Sequence, residues 1–178
     1  MAGGERIRLF CALRLPDDAL ERLVGWQQAE LRDGRLVPRE NLHVTLAFLG
    51  HRLVDERPAV AAELQQAAAG AGPIVLESRG YRETRSVGMV VLEDLTGAAT
   101  ALADELGRRL EGLGVYRREQ RPWLPHVTVL RFRERPRLDP PPPALPPVSP
   151  SDAAVYSSVL RSSGAQHEVL ESFALGGR

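Results

Sequence analysis

The sequence predicts an α+β chain made of two similar halves. Three observations carry that reading. Strand-like and helix-like segments alternate along the 178 residues, a His-Val-Thr-apolar tetrad occurs twice (His43–Leu46 and His126–Val129), and each copy follows one strand and one helix. From Phe10 to His43 is 33 positions and from Val90 to His126 is 36, so the halves match in size. Two halves related by an approximate twofold would bring their histidine strands together. The length is typical of one domain, so residues 1–178 are read as a single domain with an internal repeat.

The elements follow in order. Ile7–Leu15 is an apolar strand stopped by Pro16-Asp17-Asp18, where proline and acids suit a first helical turn. Ala19, Leu20, Leu23, Val24, Trp26, Gln27 and Leu31 then recur at helical spacing until Gly34. Pro38 keeps the following residues extended. His43–Gly50 is a strand closed by glycine, and an alanine-rich helix covers Glu56–Ala69. Ile74–Glu83 and Val87–Glu93 pair as a hairpin around Thr84-Arg85-Ser86. Thr96 is the expected N-cap of a third helix carrying Leu102, Leu106 and Leu110, which ends at Gly112 and Gly114. His126–Phe132 is the second histidine strand. Leu138–Pro150 holds seven prolines and reads as a polyproline-like surface connection. Ala153–Leu160 and Glu168–Leu175 close the chain as a strand pair turned at Ser162-Ser163-Gly164.

Composition removes several chemistries. All 23 cationic residues are arginine, and they balance 23 acids to a formal charge of zero. Without lysine there is no P-loop, no Schiff-base amine, no kinase strand lysine and no lysine–AMP intermediate. Phosphate recognition falls to arginine, whose planar fork binds phosphate oxygens in pairs. The hydrophobic share of 43% and charged share of 26% suit a globular chain. Cys11 is the single cysteine and offers no internal disulfide. The start at Met1–Arg8 lacks a signal-peptide run, and no apolar stretch approaches roughly 18 residues. A soluble cytoplasmic protein, away from membranes, is the expectation.

Side chains alternate faces along a strand. His43 and Thr45 point one way while Val44, Leu46 and Phe48 point to the core; His126 and Thr128 oppose Val127 and Val129 in the same manner. If the strands face each other, two imidazoles and two hydroxyls meet in one small volume. Such a set suits phosphoester cleavage by a paired acid and base, because histidine takes or gives a proton near neutrality. Threonine hydroxyls donate to phosphate oxygens and arginine balances the growing charge. The bland alternative is that these are ordinary half-buried strand histidines. A metal site competes too, but His51 and His167 lack partners at ligand spacing, and catalytic zinc takes three protein ligands. No metal and no cofactor is called for.

Leu42-His43-Val44-Thr45-Leu46-Ala47-Phe48-Leu49-Gly50 and Pro125-His126-Val127-Thr128-Val129-Leu130-Arg131 resemble the paired H-x-T-x signatures of the 2H phosphoesterase superfamily. Within it they are most similar to the RNA 2′,3′-cyclic phosphodiesterase (LigT-like, "2′-5′ RNA ligase") family. Arg8–Leu13 with Pro16, Pro38–Asn41, and Val155–Leu160 with Gly164 resemble that family's flanking segments, so the likeness spans nearly the whole chain. It implies two pseudo-symmetric lobes, each a small antiparallel sheet with outer helices, enclosing a central cleft. It also implies metal-independent hydrolysis of an RNA terminal 2′,3′-cyclic phosphate to a 2′-phosphomonoester, with 2′-5′ joining as the reverse. Carried over by position, His43 is the general acid and His126 the general base, and the reverse reaction swaps them. Thr45 and Thr128 hold phosphate oxygens, and Arg131 contacts the phosphate. The implied partners are RNA 3′ ends carrying the cyclic phosphate, or small cyclic nucleotides, acted on by a monomer. A reading of a different class is a non-catalytic RNA- or nucleotide-binding module that keeps the cleft; the presence of both histidines and both threonines weighs against it.

Arg131 breaks strict alternation, since residues 126, 128 and 130 share a face and 131 does not. A bend or bulge would resolve that. Arg117–Arg137 holds seven arginines against Glu119 and Glu134, a local net charge of +5 that suits an RNA backbone. Within that run, Arg133, Arg135 and Arg137 read as a solvated edge. Trp123, three residues before His126, is placed either to stack a base or to pack in the core. Tyr156 and Phe48 are read as core. His51 and His167 are read as surface positions, His51 with a possible place at the cleft rim.

Overall fold

In the computed structural model, which describes residues 3–177, the chain runs β1 (Arg6–Arg14), α1 (Asp17–Glu30), β2 (Arg35–Leu36), β3 (His43–Leu53), α2 (Arg57–Ala69), β4 (Leu76–Glu83) and β5 (Val87–Asp94). It continues through α3 (Ala98–Gly112), β6 (His126–Arg131), β7 (Asp152–Arg161) and β8 (Gly164–Ala174). These strands make two antiparallel four-stranded sheets, ordered β3-β1-β7-β8 and β2-β6-β5-β4. The α+β class and the two-sheet arrangement agree with expectation. Each histidine strand pairs with the strand that leads into the helix before it: β3 with β1 across α1, β6 with β5 across α3.

The helices form where apolar residues recur on one side. Ala19, Leu23, Trp26 and Gln27 are the buried stripe of α1, whose first turn carries Asp17 and Asp18. Val60, Ala61, Leu64, Ala67 and Ala68 play that part in α2, which lies on β7, β8 and α3. One continuous buried cluster joins Leu9, Cys11 and Leu13 of β1 to Leu23, Leu64, Leu106 and to Val127 and Val129 of β6. The lobes interleave. The short β2 leaves the first half to pair with β6, and Gln27 of α1 bonds to the carbonyl of Val129 in β6.

Several local expectations change. β3 does not end at Gly50 but continues to Leu53; Gly50 sits at φ +71, which glycine adopts without a steric penalty, beside an irregularity in the β1 register. Gly97, not Thr96, is the N-cap of α3. Asp94 does most of the capping, accepting from the Gly97 and Thr100 N–H groups at 3.1 and 2.8 Å, while the Thr96 hydroxyl accepts from the Ala98 N–H at 3.3 Å and donates to the Pro73 carbonyl at 2.6 Å. The proline-rich connection is anchored as well as exposed. Val148 exchanges two backbone hydrogen bonds with Leu76, and the Trp26 indole donates to Pro141 O at 2.8 Å.

Candidate active site

β3 lies against β6 where the two sheets meet, and the Trp123 indole N–H donates to the Thr45 carbonyl at 3.0 Å. Trp123 therefore straps the second motif to the first with its polar edge. A cavity of about 950 Å³ opens at this junction, lined among others by Thr45, Phe48, Met89, Tyr116, Trp123 and His126.

The histidines are held alike. His43 Nδ1 lies 2.8 Å from the Asn41 carbonyl and His126 Nδ1 lies 2.8 Å from the Leu124 carbonyl, each two residues upstream. A carbonyl only accepts, so each Nδ1 carries a hydrogen and Nε2 is the working nitrogen. His43 Nε2 meets the Thr45 hydroxyl at 2.9 Å; His126 faces the cavity. Burial, then the positive charge of His167, push the His43 pKa down to about 4 against the opposing Asn41 hydrogen bond, with His126 and Arg131 adding repulsion. His43 is thus a neutral imidazole near pH 7.

Both motif strands carry a bulge at the same place. In β6, Met89 opposes Thr128 and Gly88 opposes Leu130, so Val129 is the extra residue. Val87, on the same face as Met89, then opposes Arg131, which places Arg131 on the face of His126 and Thr128. The alternation objection disappears. In β3, Ala12 opposes Thr45 and Cys11 opposes Ala47, so Leu46 is extra and Phe48 swings to the cleft face opposite Phe10. The core reading of Phe48 is corrected: it is 48% exposed, because the bulge inverts the alternation after Leu46.

Around His43 the cleft wall is aromatic. Phe10 stacks on Tyr156 (centroids 4.8 Å, 6°) and packs on His43 at 4.8 Å and edge-on to His167 at 4.9 Å. Tyr156 is buried as expected, though on the cleft face of its sheet rather than in the main core. The surface reading of His167 is corrected too. Ser158 opposes it across β7–β8, which puts its ring 5.4 Å from His43, and its Nδ1 is buried without a hydrogen-bond partner. β8 begins at Gly164 rather than Glu168, which brings His167 into the strand. His51 opposite Arg8 is exposed at the rim.

The basic stretch is less free than its count. Arg118 is paired with Glu111, Arg121 with Glu119 at 2.7 Å and Arg135 with Glu83 at 3.2 Å. Arg131 makes no ion pair among the described residues. Cys11 is fully buried, which pushes its thiol up to about 12 and removes it as a nucleophile. Among the described residues no three His, Cys, Asp or Glu side chains are grouped to hold a metal ion, and no helix is long and apolar enough to cross a membrane.

Two lobes presenting twin histidine strands to one cleft define a pseudo-symmetric α+β protein with a paired His/Thr site. The sequence profile of the 2′-5′ RNA ligase superfamily matches residues 15–156, and the chain belongs to that superfamily. It is 25% identical over 170 residues to the RNA 2′,3′-cyclic phosphodiesterase of Escherichia coli, covering 94% of this chain and 96% of that one. To the protein of the same name from Thermus thermophilus it is 29% identical over 193 residues, covering 96% and 91%. The crystal structure of E. coli LigT in apo form superposes with a TM-score of 0.81 at 25% identity, over 97% of this chain and 99% of that one. LigT complexed with 3′-AMP gives a TM-score of 0.80 at 26% identity, over 96% and 99%.

Proposed function

We propose that this protein hydrolyses 2′,3′-cyclic phosphates at RNA 3′ ends to 2′-phosphomonoesters, using its own side chains and no metal. The observation that carries the reading is the twin arrangement: each imidazole is fixed at Nδ1 by the carbonyl two residues upstream, which leaves Nε2 for proton transfer, and the two histidines lie on strands that pack against each other. The names and LigT likeness of the relatives support the substrate.

In this mechanism Thr45, Thr128 and Arg131 hold the non-bridging oxygens of the cyclic phosphate. His126 Nε2 takes a proton from water, and the water oxygen forms the new bond to phosphorus. The bond from phosphorus to the 3′ oxygen breaks, and His43 Nε2 delivers a proton to that oxygen. One water is consumed and the 2′ ester remains. His43 starts neutral, chiefly because of its burial, so it must gain its proton with the substrate; a bound phosphate anion offsets both the lost hydration and the repulsion from His167. Joining keeps the same roles: a hydroxyl of a second RNA takes the place of water, His126 takes its proton, its oxygen bonds to phosphorus, and the 3′ oxygen leaves with the proton from His43. The roles swap only when a 2′-5′ linkage is cleaved back to the cyclic phosphate. The strained cyclic phosphate supplies the energy for such joining, because lysine–AMP chemistry needs a residue this chain lacks. Phe48, exposed on the cleft face, offers a surface for the nucleobase.

The test is incubation with an RNA ending in a 2′,3′-cyclic phosphate, with chelator present, alongside His43→Ala and His126→Ala. Wild-type protein should release the 2′-monoester and each variant should lose at least about a hundredfold in rate while staying folded. No release by wild type would support the binding-module alternative. Loss of activity on adding chelator would defeat the metal-free mechanism.

A further inference from the structure

Beyond the histidines, the cleft carries positive charge for which the reaction at the cyclic phosphate has no use. Arg35 of β2 opposes Arg131 across β2–β6 and shares its face. Arg8 shares a face with Phe10, at the cleft edge of the other sheet, with its guanidinium 4.9 Å over the Phe48 ring. None of the three arginines forms an ion pair among the described residues. Nor are they idle surface chains. Arg35 donates through Nη1 to the Ser163 carbonyl at 2.9 Å, so the β7–β8 turn of one sheet grips an arginine of the other. Gly164, at φ +123, leaves the room: a Cβ there would come within 3.0 Å of the Arg35 guanidinium carbon. His167 adds its buried, unpartnered Nδ1 to the same side of the cleft. Partial desolvation, then repulsion from Arg35 and Arg8, holds the Arg131 pKa below its ordinary value, a crowding that an anion would relieve.

A cyclic phosphodiester carries a single negative charge, which Arg131 and a protonated histidine already balance. Arg8 and Arg35 remain uncompensated. We propose that Arg8 and Arg35, with Arg131 at the junction, form a second phosphate subsite that takes the phosphate 5′ of the nucleoside whose cyclic phosphate lies between the histidines. The subsite makes an RNA 3′ end, rather than a cyclic mononucleotide, the preferred substrate. The proposal rests on the phosphodiesterase reading for its orientation, but its test is a binding measurement that needs no turnover. The phosphate comes either from an internucleotide linkage or from a terminal 5′-phosphate, and the ligands chosen below separate these.

Calorimetric titration of three product-like ligands reads the subsite: adenosine 2′-phosphate, adenosine 2′,5′-bisphosphate, and the dinucleotide ApA ending in a 2′-phosphate. Wild-type protein should bind the dinucleotide about tenfold or more tightly than adenosine 2′-phosphate, the size expected of one charge-assisted contact. Arg35→Gln should remove most of that gain while leaving adenosine 2′-phosphate within about twofold, and Arg8→Gln should narrow the same ratio. Arg35→Lys keeps the charge and should retain part of it. Each arginine removed should also shrink the salt slope of dinucleotide binding by about one. Bisphosphate affinity equal to that of the dinucleotide assigns the subsite to a terminal phosphate; a gain confined to the dinucleotide assigns it to the chain. Equal wild-type affinity for all three ligands overturns the proposal, as does an equal loss for all three in Arg35→Gln. A failure of turnover with the binding ratio intact would count against the activity and leave the subsite standing.

Discussion

Phe48 and Arg131 occupy the same position in the two halves of the molecule. Each stands five residues after its histidine and three after its threonine, and each reaches the cleft face through a bulge, at Leu46 in β3 and at Val129 in β6. The duplication therefore gives equivalent backbones but unlike side chains. One lobe presents an exposed ring and the other an unpaired guanidinium, which polarises a nearly symmetric cleft. A ligand with an aromatic base at one end and a phosphate at the other has a single favoured way to lie in it.

The two substitutions at this pair should separate kinetically. Arg131→Gln removes a donor to the reacting phosphate, and the expected loss is about a hundredfold in kcat/KM, carried mainly by kcat. Phe48→Ala removes only a surface for the base and should raise KM about tenfold with kcat nearly kept. Steady-state kinetics on a cyclic-phosphate RNA decides between them. Equal kcat losses in both variants would show that the asymmetry does not sort binding from catalysis.

His43 should titrate far below an ordinary histidine, at a pKa of about 4, when its ring protons are followed by NMR. His167→Phe keeps a ring against Phe10 and removes the facing positive charge, so the His43 pKa should rise but stay below normal, since burial is the larger cause. The unfolded chain binds this proton from about pH 6.5 downward and the folded chain only from about 4, so His43 costs stability as pH falls through that window. His167→Phe should narrow the window. An unchanged His43 titration in the variant would remove His167 from its electrostatic surroundings.

The histidine strands, the helix stripes and the alternation of elements were legible because periodicity and turn residues report local structure directly. The bulges were not. An extra residue in a ladder leaves no mark in the pattern of apolar positions: Val129 and Leu46 read as core residues and are buried. Only the partner strands reveal that the register has slipped, and the slip is what turned Phe48 and Arg131 toward the cleft. His167 escaped for a similar reason, since nothing local to β8 states that Ser158 and then Phe10 lie beneath it. The crossing of β2 to the opposite sheet was equally hidden, because Arg35-Leu36 is too short to show a pattern.

Glu83 anchors the chain after β6. Its side chain is 2% exposed and accepts from Leu138 N at 2.7 Å, Arg137 N at 2.9 Å, Arg135 Nε at 3.2 Å and the Tyr81 hydroxyl at 3.0 Å. Burial would raise its pKa, but these donors together hold the carboxyl below the usual carboxylate range. A depressed folded-state pKa means that the stabilisation is present above the unfolded value of about 4.3 and is lost as pH falls through the folded one. Glu83→Gln should therefore destabilise the protein by about 1–3 kcal/mol at pH 7 in urea unfolding. The gap from wild type should close at pH values below about 4. A gap independent of pH would mean that charge at Glu83 contributes nothing.

Gln27 of α1 holds the bulged residue that precedes Leu130 and Arg131 in β6. The Val129 carbonyl accepts both from its side-chain amide at 2.8 Å and from the Val37 N–H at 3.1 Å, so the bulged residue is held by α1 and by the segment after β2. The same amide nitrogen lies 3.0 Å from the Val37 carbonyl, which ties the two supports together. Gln27→Leu keeps volume but removes both bonds, and because the site is buried the cost should be about 1–3 kcal/mol in stability. A merely structural role would stop there. If Gln27 acts through the bulge, Gln27→Leu should also lower kcat on the cyclic-phosphate RNA, at a temperature where the variant is fully folded. The same change made in Arg131→Gln should then lower kcat little further, because the arginine it aims is already gone. Additive losses in the double variant would separate Gln27 from Arg131 and leave it a packing residue.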